Sequence, residues 1–182
     1  MIEKYKLYTS EVVNNNREKF IEDCDIVFEM FKKKYQHDDS TWSYQNYNLM
    51  SLSSSSAYFY DFYKELNGFI RDYIGPHKRI WIESWINYHT YEKIDKLDYH
   101  NHNFDYHGYV SIDPKNTTTV FPNQDYSIEN KSGQVYIGYG GTGYEHAVKV
   151  NEPYDGNRIT IAFDVSIREN VQYYGSSLYP LF

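Results

Sequence analysis

The stretch Arg79-Ile-Trp-Ile-Glu-Ser-Trp-Ile-Asn-Tyr88 says most about the fold of this chain. It is rich in aromatic and β-branched side chains, and it contains neither glycine nor proline. Residues of this kind fit the pleated, half-buried surface of a sheet. We therefore predict a β-strand over residues 79–88.

The segments that follow have the same character and are separated by turn signals such as Asp113-Pro114 and Gly140-Gly-Thr-Gly143. Short strands with frequent turns are typical of an antiparallel sandwich or barrel. The further strands are predicted at Tyr106–Ile112, Thr117–Phe121, Tyr126–Ile128, Gln134–Tyr139, His146–Val150 and Arg158–Ile167.

Upstream of residue 76 the pattern is helical. Apolar side chains recur every three to four residues from Arg17 to Lys34, and again from Ser56 to Tyr73. Ser55 or Ser56 can cap the second helix, and Gly75-Pro76 can end it. The polar segment Gln36–Ser56 is predicted as a loop. We expect both helices to buttress a sheet.

A chain of 182 residues predicts a single domain. It divides into a helical support region (1–76), a β core (77–167) and a C-terminal tail (168–182), which could be a strand or an arm lying on the body. The net charge of -7 argues against a general nucleic-acid surface. No apolar run reaches the roughly 20 residues of a membrane span, and the beginning lacks the apolar core of a signal peptide.

Cys24 is the only cysteine, so no disulfide can form within the chain. It falls on the apolar stripe of the first helix and is predicted to be a buried filler. A reducing compartment is therefore expected, and we expect a cytoplasmic protein. The sequence does not indicate an oligomeric state.

Polar residues capable of chemistry occur in order along the β core: His100-x-His102, then His146, then Arg158-x-Thr160. On a strand, residues two apart point the same way, so His100 and His102 could bind one metal ion. A histidine from a distant strand could complete the ligand set. Seven histidines make one such pair unsurprising by itself, and the order of the later residues strengthens the signal.

From Ile82 to Val165 the chain resembles the catalytic core of Fe(II)/2-oxoglutarate-dependent oxygenases. The likeness is greatest to the prolyl-hydroxylase-like branch, including small oxygenases of tailed phages. The matching segments are, in order, Glu83-Ser-Trp-Ile-Asn87, His100-Asn-His102, His107-Gly-Tyr-Val-Ser-Ile-Asp-Pro114, Gly133-Gln-Val-Tyr-Ile137, Tyr144-Glu-His-Ala-Val148 and Arg158-Ile-Thr-Ile-Ala-Phe163.

The resemblance implies a double-stranded β-helix (a jelly roll, or cupin-like barrel) buttressed by the two helices. It implies Fe(II) bound by His100, His102 and His146, and 2-oxoglutarate as co-substrate. Its far carboxylate would meet Arg158 and Thr160, and Tyr109 could contribute a phenol. The implied activity is that of a dioxygenase that hydroxylates an unactivated C–H bond. The substrate is unidentified, and a peptidyl, prolyl-hydroxylase-like one follows by analogy. A phage-encoded protein acting in the host cytoplasm is one reading.

The chain departs from the family at one ligand, because the usual motif is His-x-Asp or His-x-Glu. His102 occupies the carboxylate position, and Asp98 or Asp105 could supply the missing acid. His107 lies an odd number of residues from His102. It is therefore expected on the opposite face of a regular strand and not among the ligands.

Two alternatives remain. A cupin-type metalloprotein would share His-x-His and a motif like Gly143-Tyr-Glu-His146, but the expected glutamate after the histidine pair is missing, and a cupin does not need Arg158-x-Thr160. A non-catalytic structural or binding protein on the same barrel would leave the histidines incidental.

Overall fold

The computed structural model describes residues 3–35, 47–75, 79–92, 98–167 and 178–181. Within these residues the α-helices are α1 (Glu11–Asn15), α2 (Arg17–Tyr35) and α3 (Ala57–Ile74). The described strands are β1 (Tyr5–Thr9), β2 (Ile80–Thr90), β3 (Tyr106–Asp113), β4 (Thr117–Phe121), β5 (Tyr126–Glu129), β6 (Gln134–Tyr139), β7 (Ala147–Val150), β8 (Asn157–Ser166) and β9 (Tyr179–Leu181). Short 3-10 helices span Leu49–Ser54 and Pro122–Gln124.

The strands form two antiparallel sheets. The larger sheet has six strands in the order β1-β6-β3-β8-β2-β9, and the smaller has three in the order β5-β4-β7. Every pairing within them is antiparallel. The prediction of a mainly β chain with N-terminal helices is confirmed.

The alternation of side chains along β8 explains how the layers pack. Its odd-numbered residues, from Ile159 to Val165, belong to the core that includes apolar residues of α2 and α3. Its even-numbered residues point to the other face, where Ala162 packs with Phe121 and Ile128 of the small sheet. The helices thus cover one face of the large sheet, as expected, and the small sheet covers the other.

Helix predictions agree closely with the structure. The Ser56 hydroxyl accepts a hydrogen bond from the backbone N–H of Phe59 and caps α3, and Gly75 ends that helix with φ 86°. Cys24 is buried. Within the expected loop over 36–56, residues 36–46 lie outside the described part of the chain, and the remainder contains a 3-10 helix.

Two elements were not predicted, and a third was left open. β1 pairs with β6, and α1 follows it, so the first 76 residues also contribute an edge strand to the large sheet. In the tail, β9 pairs with β2, which resolves the described part of that segment as a strand. The single domain and its boundaries stay a prediction. Among the described residues, no helix is long and apolar enough to cross a membrane.

Candidate metal centre

Three imidazoles converge at one end of the space between the two sheets. One ring nitrogen from each of His100, His102 and His146 can be chosen so that all lie within 4.8 Å of one another. The ring centroids are 4.5 Å apart for His100 and His146, and 5.3 Å for His102 and His146. A single transition-metal ion is of the right size to join such a set.

The backbone brings His100 and His146 together through a short antiparallel bridge. The N–H of His100 donates to the carbonyl of His146 at 3.1 Å, and the N–H of His146 donates back to His100 at 3.0 Å. The segment that carries His100 and His102 is not a regular strand, so our reason for placing their rings on one side was wrong. Convergence depends on this bridge, which continues the line of β7.

A glycine turn fixes the second histidine. The N–H of Gly141 donates to the carbonyl of His102 at 2.6 Å. A Cβ atom added to Gly140 would lie 2.3 Å from the carbonyl oxygen of Phe104 and 3.0 Å from that of His102. Only glycine permits this close approach of the two backbones.

Burial keeps two of these histidines in the form that binds metals. Burial lowers the pKa of His100 and lowers that of His146 well below its ordinary value, with the neighbouring imidazoles adding to the effect. Both rings are consequently neutral at pH 7, and a neutral imidazole has a lone pair for a metal. The side chain of His102 is only 8% exposed, and the ring of Trp85 stacks on it at 5.8 Å.

The other predicted site residues line the same cavity. Arg158, Thr160 and Tyr109 all contribute to its wall, together with the three histidines. Arg158 and Thr160 stand on the face of β8 turned towards the small sheet, and Tyr109 stands on neighbouring β3 opposite Ala162. The structure therefore brings every predicted site residue to one cavity.

Arg158 is in an unusual electrostatic position. It is 2% exposed, and its Nε atom lies 3.4 Å from the Thr117 hydroxyl oxygen. No carboxylate of the described residues forms an ion pair with it, and burial lowers its pKa to about 10. A buried charge ordinarily requires a partner. The cavity thus offers a cation without an anion.

A buried polar network lies behind the guanidinium, and sequence reasoning missed its central residue, Asn130. The Asn130 side-chain oxygen accepts from the hydroxyls of Tyr109 at 2.9 Å and Thr119 at 3.1 Å. Its amide donates to the Thr117 hydroxyl at 3.1 Å. One asparagine therefore positions both the phenol and the hydroxyl that contacts Arg158.

The expected placement of His107 was wrong. Its ring is buried in the cavity wall and stacks on those of His102 and His146, at 4.7 and 4.8 Å. Residues 103–105 form a bend, so the alternation of a regular strand does not connect His102 with His107. It does not belong to the group of three converging ligand atoms.

The acid beside the histidines is also not one that we expected. The Asp105 carboxylate accepts from the Ser166 hydroxyl and from the N–H of Ile167. Asp98 contacts His100 through its backbone carbonyl, at 2.8 Å from Nδ1. It is Asp164 of β8 whose carboxylate reaches the site, 2.7 Å from Nδ1 of His102. Counting in twos from Arg158 along β8 would have found it.

Comparison with known proteins gives relatives in fold only. No family model matches the chain, and no curated protein sequence matches it. Viral collagen prolyl hydroxylase vCPH from Paramecium Bursaria Chlorella virus-1, in a truncated form, has 11% identity and a TM-score of 0.55, covering 90% of this chain and 89% of that one. Its 2OG complex has 11% identity and a TM-score of 0.51, covering 90% and 96%.

Apo HygX from Streptomyces hygroscopicus has 10% identity and a TM-score of 0.54, covering 100% of this chain and 93% of that one. At such identities the likeness establishes a shared fold. The resemblance inferred from the sequence motifs is thereby confirmed at the level of the fold.

Proposed function

We propose that this protein is an Fe(II)- and 2-oxoglutarate-dependent dioxygenase built on a double-stranded β-helix. The observation that carries the proposal is that one cavity holds three converging imidazoles and a buried guanidinium that forms no ion pair with an acid among the described residues. The imidazoles could hold the metal, and the guanidinium could bind an acid. The structural likeness to a prolyl hydroxylase crystallised with 2OG supports the same assignment.

The donor set fits a divalent transition metal. Neutral imidazoles suit iron, and three of them leave coordination positions for a co-substrate and for O2. His100, His102 and His146 would hold the ion. When bound, Fe(II) and 2-oxoglutarate would supply the oxidising chemistry that converts a C–H bond to C–OH, with O2 consumed and succinate and CO2 released.

The residues of β8 and β3 would bind the co-substrate. The fixed fork of Arg158 can pair with the far carboxylate of 2-oxoglutarate through two charge-assisted hydrogen bonds. The Thr160 hydroxyl, on the same face of the strand, can donate a third. Tyr109, held by Asn130, would form the side wall. A dicarboxylic acid of this kind provides the anion that the buried guanidinium needs.

An anaerobic titration tests the proposal. Fe(II) followed by 2-oxoglutarate should produce a weak visible charge-transfer band in the wild-type protein. His146→Ala should lose metal binding, whereas Arg158→Ala should bind metal and lose 2-oxoglutarate affinity. Metal binding without the band would indicate a cupin-type protein, and binding of neither would indicate a structural one.

The substrate belongs to the proposal as well. Because the viral neighbour is named for a collagen prolyl activity, a proline-containing peptide is the first class to test. The release of succinate would report turnover, and it should increase when a peptide substrate is added. No increase with any peptide would direct the search to small molecules.

A further inference from the structure

Asp164 makes the only contact between a carboxylate and a ligand imidazole within 4.0 Å among the residues described at this centre. Its Oδ1 lies 2.7 Å from Nδ1 of His102, and the two side chains are 6% and 8% exposed. At this distance and burial the contact is well shielded from solvent. Burying a carboxylate is costly unless a partner offsets its charge.

The strand leaves the Asp164 side chain little choice of direction. It is the fourth residue of the β8 row that begins with Arg158 and continues through Thr160 and Ala162, so it points to the same side of the sheet as those cavity-lining residues. In the sheet it stands directly between Glu83 of β2 and His107 of β3. Within the described chain it forms no ion pair with a lysine or an arginine, and the imidazole of His102 is the group that its carboxylate contacts.

We propose that Asp164 is a positioning residue of the metal centre: its carboxylate accepts the Nδ1–H of His102, directs Nε2 of that ring to the metal, and supplies the negative charge that a His-x-Asp motif would place at position 102. This inference rests on the proposed function. An imidazole protonated on Nδ1 carries its lone pair on Nε2. Nδ1 of His102 lies within hydrogen-bonding distance of Oδ1 of Asp164, and a hydrogen bond between them would select the tautomer that can bind the ion through Nε2.

The proposed role of Asp164 also explains how the site could hold a divalent ion with His102 in place of a carboxylate ligand. Three neutral imidazoles leave the charge of a divalent ion uncompensated in a buried site. A carboxylate one imidazole away from the ion offsets part of that charge and makes the ring a stronger donor. In this proposal the acid stands on β8, next to a ligand imidazole, and is not itself a ligand.

Two substitutions separate the parts of this role. Asp164→Leu removes the acceptor and the charge at similar size, and Asp164→Asn keeps an acceptor oxygen but removes the charge. Asp113→Asn is the matched control, since Asp113 is a partly buried aspartate at the end of β3 that pairs with Arg17 and Lys115 away from the site. Circular dichroism establishes that each variant is folded.

The metal-free tautomer of His102 is measured first, from long-range nitrogen–proton correlations in NMR spectra. Wild type and Asp113→Asn should show the Nδ1–H form, and Asp164→Leu should lose that preference. Co(II) affinity, measured by competition with a chelator, should fall about 10- to 100-fold in Asp164→Leu and by a smaller factor in Asp164→Asn. The Co(II) absorption spectrum should change in both and stay unchanged in the control.

Each contrary result is distinct. A wild-type His102 protonated on Nε2 would overturn the proposed hydrogen bond. Equal Co(II) affinity and spectra in wild type and both Asp164 variants would overturn the positioning role, while the proposed oxygenase function would stand. Absence of Co(II) and Fe(II) binding by the wild-type protein would refute the proposed function and this role together.

Discussion

Replacing Arg158 by methionine is expected to make the protein more stable in the absence of 2-oxoglutarate. Methionine has a similar length and no charge. The guanidinium is 2% exposed, and its pKa is lowered from the ordinary arginine value to about 10 because it is buried. A tenfold change in proton affinity corresponds to about 1.4 kcal/mol, so burial costs the charged form roughly 3 kcal/mol.

The substitution removes few favourable contacts of Arg158. The Arg158 Nε contact with the Thr117 hydroxyl is long, at 3.4 Å, and that hydroxyl still donates to the Pro114 carbonyl and accepts from Asn130. We therefore expect a net gain of about 2 kcal/mol in the free energy of unfolding. For a chain of this size, that corresponds to a rise of about 4–8 °C in Tm.

2-Oxoglutarate should reverse this order of stability and make the wild type more stable than Arg158→Met. With Mn(II) present throughout, 2-oxoglutarate at 1,000 times its Kd should stabilise the wild type by about 4 kcal/mol and leave Arg158→Met unchanged. Arg17→Met is the control: Arg17 pairs with Asp113 at 3.0 Å, so this variant should lose up to about 1 kcal/mol and keep its response to 2-oxoglutarate. Thermal and urea unfolding measure both effects.

Two results would refute this reasoning. If Arg158→Met is less stable than the wild type without ligand, the guanidinium is a structural element and its buried charge is already compensated. If 2-oxoglutarate stabilises Arg158→Met as much as the wild type, the guanidinium does not bind the co-substrate.

Three further results are expected. Gly140→Ala should weaken Co(II) binding at least tenfold, since its Cβ would lie 2.3 Å from the Phe104 carbonyl oxygen, whereas Gly68→Ala on α3 meets nothing within 4 Å and should leave binding unchanged. Asn130→Ala should weaken 2-oxoglutarate binding about tenfold in calorimetry and leave Co(II) affinity intact, because it loosens only the network around Arg158. The buried histidines have lowered pKa values, so below the ordinary value of about 6.5 the unfolded chain binds more protons and the metal-free protein should lose stability as the pH falls. His107→Phe should reduce this loss of stability between pH 7 and 5.5, measured by urea unfolding, by up to about 1.4 kcal/mol. An equal loss in the variant would contradict the conclusion that buried His107 contributes to it.

The strands could be predicted where the local sequence marks both their apolar residues and their ends. Thr117–Phe121 and Gln134–Tyr139 were predicted to the residue, because apolar and turn residues mark their ends. β1 and β9 are edge strands of five and three residues. β4 is no longer than β1, so length alone does not explain the difference. β1 and β9 each pair with one longer neighbour, β6 and β2, and that neighbour supplies their hydrogen bonds.

The site was predictable in its members and less so in its geometry. The order of the motifs pointed to the three histidines and Arg158, but His100 and His102 do not share a regular strand. The bend over residues 103–105, which has no clear signature in the sequence, turns His107 into the cavity. A rule based on alternation fails wherever the strand is interrupted.

The same rule succeeds along β8, which is uninterrupted from Asn157 to Ser166, and this has a consequence for the site as a whole. Arg158 and Asp164 stand at the two ends of one row of side chains, so a single strand places both the proposed co-substrate anchor and the carboxylate beside His102. β8 pairs with β2 along its whole length and with β3 from Ile159 to Val165, so Asp164 lies in two ladders and Arg158 in one. This one strand therefore fixes the spacing between the guanidinium and the carboxylate, which the proposed alignment of a chelating acid with a metal would require.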